Sequence, residues 1–231
     1  MNASLWAVSL VVLTFVGCGQ AQDKKPGTET KPSASAEKVS INFDEAMTGQ
    51  VPKGFTAAET KGVGNPATWR VEALKDDAKH KNAVKVDTKN KESVFNLLMS
   101  DTAYAADLEL SAAIKAGSGE DDQGGGLIWR AQGPEDYYVT RWNPLEKNIR
   151  LYKVEKGVRT TLKSAEVDVD AKGWHTITVT HRGGAMTVKL DDKVVLEAED
   201  AAFKDAGKVG FWTKADASSW FDDLMITPLK K

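Results

Sequence analysis

Apolar positions recur at every second residue over most of this chain. "TWRVEAL" sets Trp69, Val71 and Ala73 against Thr68, Arg70 and Glu72. A period of two sends alternate side chains to opposite faces of an extended strand, so one face can be buried while the other meets water. The same alternation, or a short apolar run, returns in "VSINF", "NAVKVDT", "SVFNLLM", "DLELSAAI", "GGLIWRA", "DYYVTRW", "NIRLYKV" and "VRTTLKS". It continues through "WHTITVTHR", "AMTVKLD", "KVVLEA", "KVGFWT" and "SWFDDLMI". Between the runs stand "NPLEKN", "EKG", "DAKG", "RGG" and "LDDK", which carry Gly, Asn, Asp or Pro where tight turns need them. No segment keeps a helical period over three turns, and "EDAAFKDAG" is the one stretch that could hold a single helical turn. About a dozen strands cannot remain one flat sheet. The pattern therefore predicts an all-β domain, an antiparallel β-sandwich of the jelly-roll kind, over residues 39–231. The "INF" and "FDDLMI" strands are expected to pair and bring its ends together. No fixed-period repeat is present, which speaks against a propeller or solenoid.

The N-terminus follows a different pattern. The first 22 residues carry no charged side chain, and Leu5 to Val16, "LWAVSLVVLTFV", form a 12-residue apolar run. A membrane span needs about 20 such residues, so the run fits the h-region of a secretory signal better, although "MNAS" before it lacks Lys or Arg. Two processing readings stay open. "FVGC" has the form of a lipobox, with Phe15 where Leu is usual, and makes Cys18 a lipidation site. "GQA" instead offers cleavage after Ala21. The preferred division is a signal peptide over 1–18 and a disordered tether over 19–38. The tether, "GQAQDKKPGTETKPSASAEK", is too polar to order itself. Tether and anchor together suggest a bacterial lipoprotein, secreted to the periplasm or cell surface and attached to a membrane through its N-terminal lipid. Cys18 is the only cysteine, so the domain has no internal disulfide, no thiol nucleophile and no thiolate metal ligand. The net charge of −2 offers no positive excess for nucleic acid.

Three stretches carry a family resemblance: "GGGLIWRAQGPEDYYVTRWNPLEKNIRLYKVEKGVRTTL", "GWHTITVTHRGGAMTVKLDDKVVLEAED" and "GKVGFWTKADASSWFDDLMI". Their order resembles the concanavalin A-like lectin/glucanase superfamily. Within it the chain is similar to laminin G-like and 3-keto-disaccharide hydrolase (family 16-like glycosidase) domains of bacterial surface proteins. The resemblance implies a jelly roll whose concave sheet handles sugars. It departs from family 16 glucanases at their catalytic strand, because no Glu-x-Asp-x-x-Glu occurs here. The nearest sequence, "EVDVD", puts Glu166, Asp168 and Asp170 on one face and two valines on the other, as a solvated strand end would.

Other chemistry is sparse. There is no Gly-x-Ser-x-Gly elbow. "DDQGGG" lacks the helix of a phosphate loop and reads as a turn. His80, His175 and His181 are scattered and read as structural. No metal or other cofactor is assigned. A structural Ca²⁺ near the joined ends, held by Asp44, Asp222 and Asp223, is the one alternative weighed.

The aromatic and arginine set is the strongest functional signal. Sugars need flat apolar platforms and rigid hydrogen-bonding groups. If "NPLEK" joins two antiparallel strands, Arg141 stands beside Arg150 and Asn143 opposite Asn148, with Tyr152 on the same face. Tyr138, Trp142, Ile149 and Leu151 then face the core. Arg130, Arg141, Asn143, Arg150 and Tyr152 are the candidate hydrogen-bonding groups. Trp212 and Trp220 are the candidate platforms, with Lys214 and Asp222 beside them. Glu146 and Asp222 are also possible partners that would neutralise the arginines. Carbohydrate binding is the leading reading. A glycoside hydrolase using Asp222, Glu146 or Glu109 is the first alternative, and a structural envelope or adhesion module the second.

Overall fold

The computed structural model describes residues 37–91 and 93–230, so the expected signal, Cys18 and nearly all of the expected tether lie outside the described residues. Among the described residues there are fifteen strands. They are β1 (Val39–Ile41), β2 (Phe55–Glu59), β3 (Thr68–Ala73), β4 (Asn82–Asp87), β5 (Phe95–Tyr104), β6 (Leu108–Ala116), β7 (Gly125–Gly133) and β8 (Asp136–Asn143). There follow β9 (Asn148–Glu155), β10 (Val158–Glu166), β11 (Trp174–Arg182), β12 (Ala185–Leu190), β13 (Lys193–Glu199), β14 (Gly207–Lys214) and β15 (Ser219–Pro228). "EDAAFKDAG", the one stretch that could have held a helical turn, contains none: Phe203 is buried among core residues, and Asp200 accepts from the backbone N–H of Ala202.

The strands make two antiparallel sheets. A seven-stranded sheet runs β10–β9–β8–β7–β14–β5–β2, and an eight-stranded sheet runs β13–β12–β11–β6–β15–β4–β3 with β1 added to β15. Val39 pairs with Ile226 and Ile41 with Leu224, so the ends of the domain do meet in adjacent strands. Alternation then decides the core. Trp69, Leu110, Trp129, Tyr138, Trp142, Ile149, Leu151, Phe211 and Phe221 fill the space between the sheets. Phe211 and Phe221 stack with centroids 4.6 Å apart and join the two layers at the centre. The expected packing role of Tyr138, Trp142, Ile149 and Leu151 is thus what the structure shows.

The seven-stranded sheet is apolar on its other face as well. Phe95, Leu97, Met99, Ile128, Tyr137, Val139, Tyr152, Val154 and Trp212 form a second cluster there. The chain leaving β2 crosses this face toward the opposite edge. Thr60 Oγ1 lies 2.8 Å from both the Pro134 carbonyl and Tyr137 Oη, and Lys61 N–H donates to Glu135 Oε1 at 2.6 Å. The Lys61 side chain lies against Gly157 in the β9–β10 turn. This strap closes one end of the outer face and buries the aromatic floor beneath it. The other end, at the β8–β9 turn, stays polar.

Candidate functional site

The polar end is built on the β8–β9 hairpin. Arg141 pairs with Arg150 across it, and Asn143 with Asn148, as the alternation and the "NPLEK" turn require. Two guanidinium groups side by side repel unless a carboxylate lies between them. Glu146, in the connecting turn, supplies it: one oxygen lies 2.9 Å from Arg141 Nη2 and 3.2 Å from Arg150 Nη1. Asn148 donates to the same oxygen at 3.0 Å, while its own amide oxygen accepts from Arg141 at 3.0 Å. Asn143 Oδ1 accepts from the Glu146 N–H and fixes the turn. Partial burial pushes the Glu146 carboxyl upward, but the bonds from Asn148 and Arg141 and the two guanidinium charges outweigh it and bring it down to about 2.

A second carboxylate sits on the other side of Arg141. Both oxygens of Asp122 lie 3.1 Å from Arg141 Nη1, Asn143 Nδ2 donates to Oδ1 at 2.9 Å, and Lys214 Nζ lies 3.3 Å from Oδ2. Its position is set by its loop. Asp216 accepts the backbone N–H groups of Glu120, Asp121 and Asp122. Gly124 then turns the chain into β7 at φ +72°, where a Cβ would come within 2.3 Å of the Trp142 carbonyl. Burial raises the Asp122 carboxyl against the pull of Arg141 and Lys214. For Arg141, burial opposes the charge, yet Asp122 and Glu146 prevail and hold the guanidinium above its ordinary range.

Arg159 completes the face. It comes from β10, opposite Val154, and lays its guanidinium over Tyr152 (4.6 Å to the ring centroid) and Phe95 (4.9 Å). The floor below is sealed. Trp212 is 0% exposed, tilts against Phe95 at 5.3 Å and donates to Tyr137 Oη at 3.2 Å. What a ligand can meet is therefore polar: Arg150 (35% exposed), Glu146 (38%), Arg159, Thr161 and Lys214.

Sequence reasoning brought Arg141, Asn143, Arg150, Tyr152, Trp212 and Lys214 to one face, and the structure places all six there. Three other expected members lie elsewhere. Arg130 falls in a β-bulge between Trp129 and Gly133 at φ +47°, which breaks the alternation. It is buried at the sandwich edge, donating to the carbonyls of Ala106, Gly183 and Phe203 and pairing with Asp107 at 3.2 Å. Trp220 and Asp222 belong to β15, which is in the other sheet. Trp220 lies on that sheet's outer face, donating to Glu72 with Lys85 over its ring. Asp222 is buried against His80, with Oδ2 2.9 Å from Nδ1. As for Trp212, it is on the expected face but presents no ring surface for stacking.

The catalytic candidates do not converge. Glu146 is in the polar cluster, whereas Glu109 faces solvent from β6 near Thr180 and Asp222 lies under His80. Asp122 and Arg159 were missed. Asp122 was hidden in a loop read only as a turn, although that loop leads into the strand beside Arg141. Arg159 was legible from the tight "EKG" turn, which sets it opposite Val154 and therefore on the face of Tyr152.

Among the described residues, the group of potential metal ligands within 4.8 Å of one another is His80, Asp222 and Asp223. Asp44 is not part of it; its carboxylate and carbonyl instead accept from Asn82. One imidazole with two carboxylates suits a borderline divalent ion better than Ca²⁺. The hydrogen bond between His80 and Asp222 already accounts for that pair. The other histidines are structural: His175 lies 2.6 Å from both Asp191 Oδ2 and the Asp170 carbonyl, and His181 accepts from Trp129 at 2.9 Å.

No protein-family model matches the chain, and no curated protein matches it. Solved structures do. The carbohydrate-binding module CBM66 from Bacillus subtilis superposes with a TM-score of 0.61 at 16% identity, covering 79% of this chain and 99% of that one. Cellulose-induced protein Cip1 gives 0.61 at 13% identity, over 84% and 98%. The β-glucanase of Bacillus licheniformis gives 0.56 at 11% identity, over 84% and 99%. At such identities the likeness concerns architecture alone: this chain is an antiparallel jelly roll of two packed sheets.

Proposed function

We propose that the domain binds carbohydrate on the outer face of the seven-stranded sheet, at the end left open by the strap. The observation that carries this is the Asp122–Arg141–Glu146–Arg150 network. It holds planar donors and acceptors rigidly beside Asn148 and Tyr152, as recognition of sugar hydroxyls requires. The structural neighbours, a carbohydrate-binding module and a β-glucanase among them, support the same reading. So does the resemblance to laminin G-like and 3-keto-disaccharide hydrolase domains. Titration calorimetry against a saccharide panel tests it. Binding should occur, and Arg150→Ala should weaken it at least tenfold. Absence of binding at millimolar saccharide would refute it.

A hydrolase remains the second reading, on one observation. Asp122 and Glu146 flank the same guanidinium while their surroundings push their pKa values in opposite directions, the arrangement an acid and a base need. Against it, both Asp122 oxygens are already occupied by Arg141, with Asn143 and Lys214 added, so binding without turnover is favoured. Turnover abolished by Glu146→Gln would reverse that preference. The apolar N-terminal run and Cys18 support secretion and lipid anchoring of this binding domain at the cell envelope. Mass spectrometry of the mature protein should find a lipid on Cys18; a start at Gln22 would exclude it.

A further inference from the structure

The charges on this face do not balance. Arg141, Arg150, Arg159 and Lys214 confront three carboxylates, Asp122, Glu146 and, opposite Asn148 at the end of β10, Glu166, in a chain whose net charge is −2. The excess is localised. Arg141 and Lys214 share Asp122, and Arg150 shares Glu146 with Arg141. Arg159 has no ion-pair partner among the described residues. Its guanidinium is held over Tyr152 and Phe95 by contact with their rings. Burial pushes its pKa down and the charge of Arg141 adds to this, against the opposing pull of Tyr152 and Asp122.

Three donors in this region are buried without a hydrogen-bond partner among the described residues: Arg159 Nη1, Arg141 Nε and Tyr152 Oη. Arg141 and Tyr152 are each 1% exposed. Buried donors are almost always paired in folded proteins, so three together on one face mark a place where an acceptor belongs. A neutral sugar hydroxyl could take one of them. It would leave the cationic excess unmet. A carboxylate answers both needs, since it offers two acceptor oxygens in a plane and matches the guanidinium fork.

We infer that the face recognises an acidic saccharide, with the carboxylate of a uronic acid seated on the partly exposed Arg159 guanidinium, above the buried Tyr152 and Arg141. This rests on the carbohydrate-binding reading above and narrows it to a ligand class. Arg150, Glu146 and Thr161 then meet the ring hydroxyls, and the strap through Thr60 and Lys61 limits how far the chain of sugars extends along the sheet.

The test is a calorimetric titration of the full chain with a panel of oligouronates differing in ring stereochemistry, each beside its methyl ester. Esterification removes the charge and leaves the sugar skeleton. A sulfated oligosaccharide and a neutral oligosaccharide of the same length complete the panel. At least one oligouronate should bind, its ester at least tenfold more weakly, and affinity should fall as salt rises. Arg159→Gln should lose the discrimination between acid and ester while its melting curve stays cooperative. Equal binding of acid and ester by the wild type overturns the acidic-ligand inference and leaves the binding face standing, and that comparison needs no variant. Preference for the sulfated chain over every uronate overturns the carboxylate assignment. Failure of every saccharide to bind overturns the binding reading and this inference with it.

Discussion

Arg141 and Arg150 stand opposite each other on neighbouring strands, yet their losses would register differently. Arg141 is 1% exposed and is the main countercharge of buried Asp122. Removing one partner of a buried pair strands the other, so Arg141→Ala should destabilise the domain by about 3 kcal/mol. Arg150 is 35% exposed, and its ion pair with Glu146 is worth under about 1 kcal/mol. Arg150→Ala should leave the urea midpoint nearly unchanged while weakening saccharide binding. Equal destabilisation by the two changes would contradict the division between a structural and a ligand-facing arginine. The same division explains why an Arg→Ala binding defect must be read together with stability: at Arg141 the two effects are inseparable, at Arg150 they part.

The hairpin β8–β9 and the strap after β2 show how legibility depends on the range of the contacts. The hairpin was readable because its turn fixes its register, and Arg141↔Arg150 follows from "NPLEK" without knowledge of any other strand. The two-sheet sandwich was readable for a similar reason, since alternation reports which residues must be buried. What alternation cannot report is which sheet a strand joins. Trp220 and Asp222 share a face in sequence terms, but β15 pairs with β6 and β4, so that face belongs to the other layer. Arg130 was misplaced by a bulge, which shifts the parity of every later residue on the strand. The strap was invisible because no local pattern announces a loop that bonds across a sheet to residues more than seventy positions away. Thr60 is its anchor. Thr60→Val removes the bonds to the Pro134 carbonyl and Tyr137 and should cost about 1–2 kcal/mol. It should also raise hydrogen exchange at residues 60–62 and at Tyr137. Unchanged exchange there would show that the strap is held by something other than Thr60.

Across the whole molecule, acid should act in two successive windows. His181 lies in the core against Trp129 and Tyr138, and burial together with nearby Arg130 lowers its pKa from 6.5 to about 4. The folded state thus holds the ring neutral while the unfolded chain protonates it. Its contribution is fully present above pH 6.5 and is lost as pH falls through 4, by about 3 kcal/mol at most. Glu146, lowered from 4.5 to about 2, acts below that: its contribution is present above pH 4.5 and disappears as pH drops through 2. Urea unfolding between pH 7 and 4 should therefore show falling stability, and His181→Gln should flatten the slope; a flat wild-type profile would contradict the neutral buried ring. Both windows lie below neutral pH, so the site is fully assembled at pH 7. There the central claim, that ligands bind the open end of the seven-stranded sheet, is tested most directly by backbone amide NMR during saccharide titration. The account predicts shifts confined to Asp122, Arg141 to Tyr152, Arg159 to Thr161 and Lys214. Shifts centred on Glu72, Lys85 and Trp220 of the other sheet would contradict it.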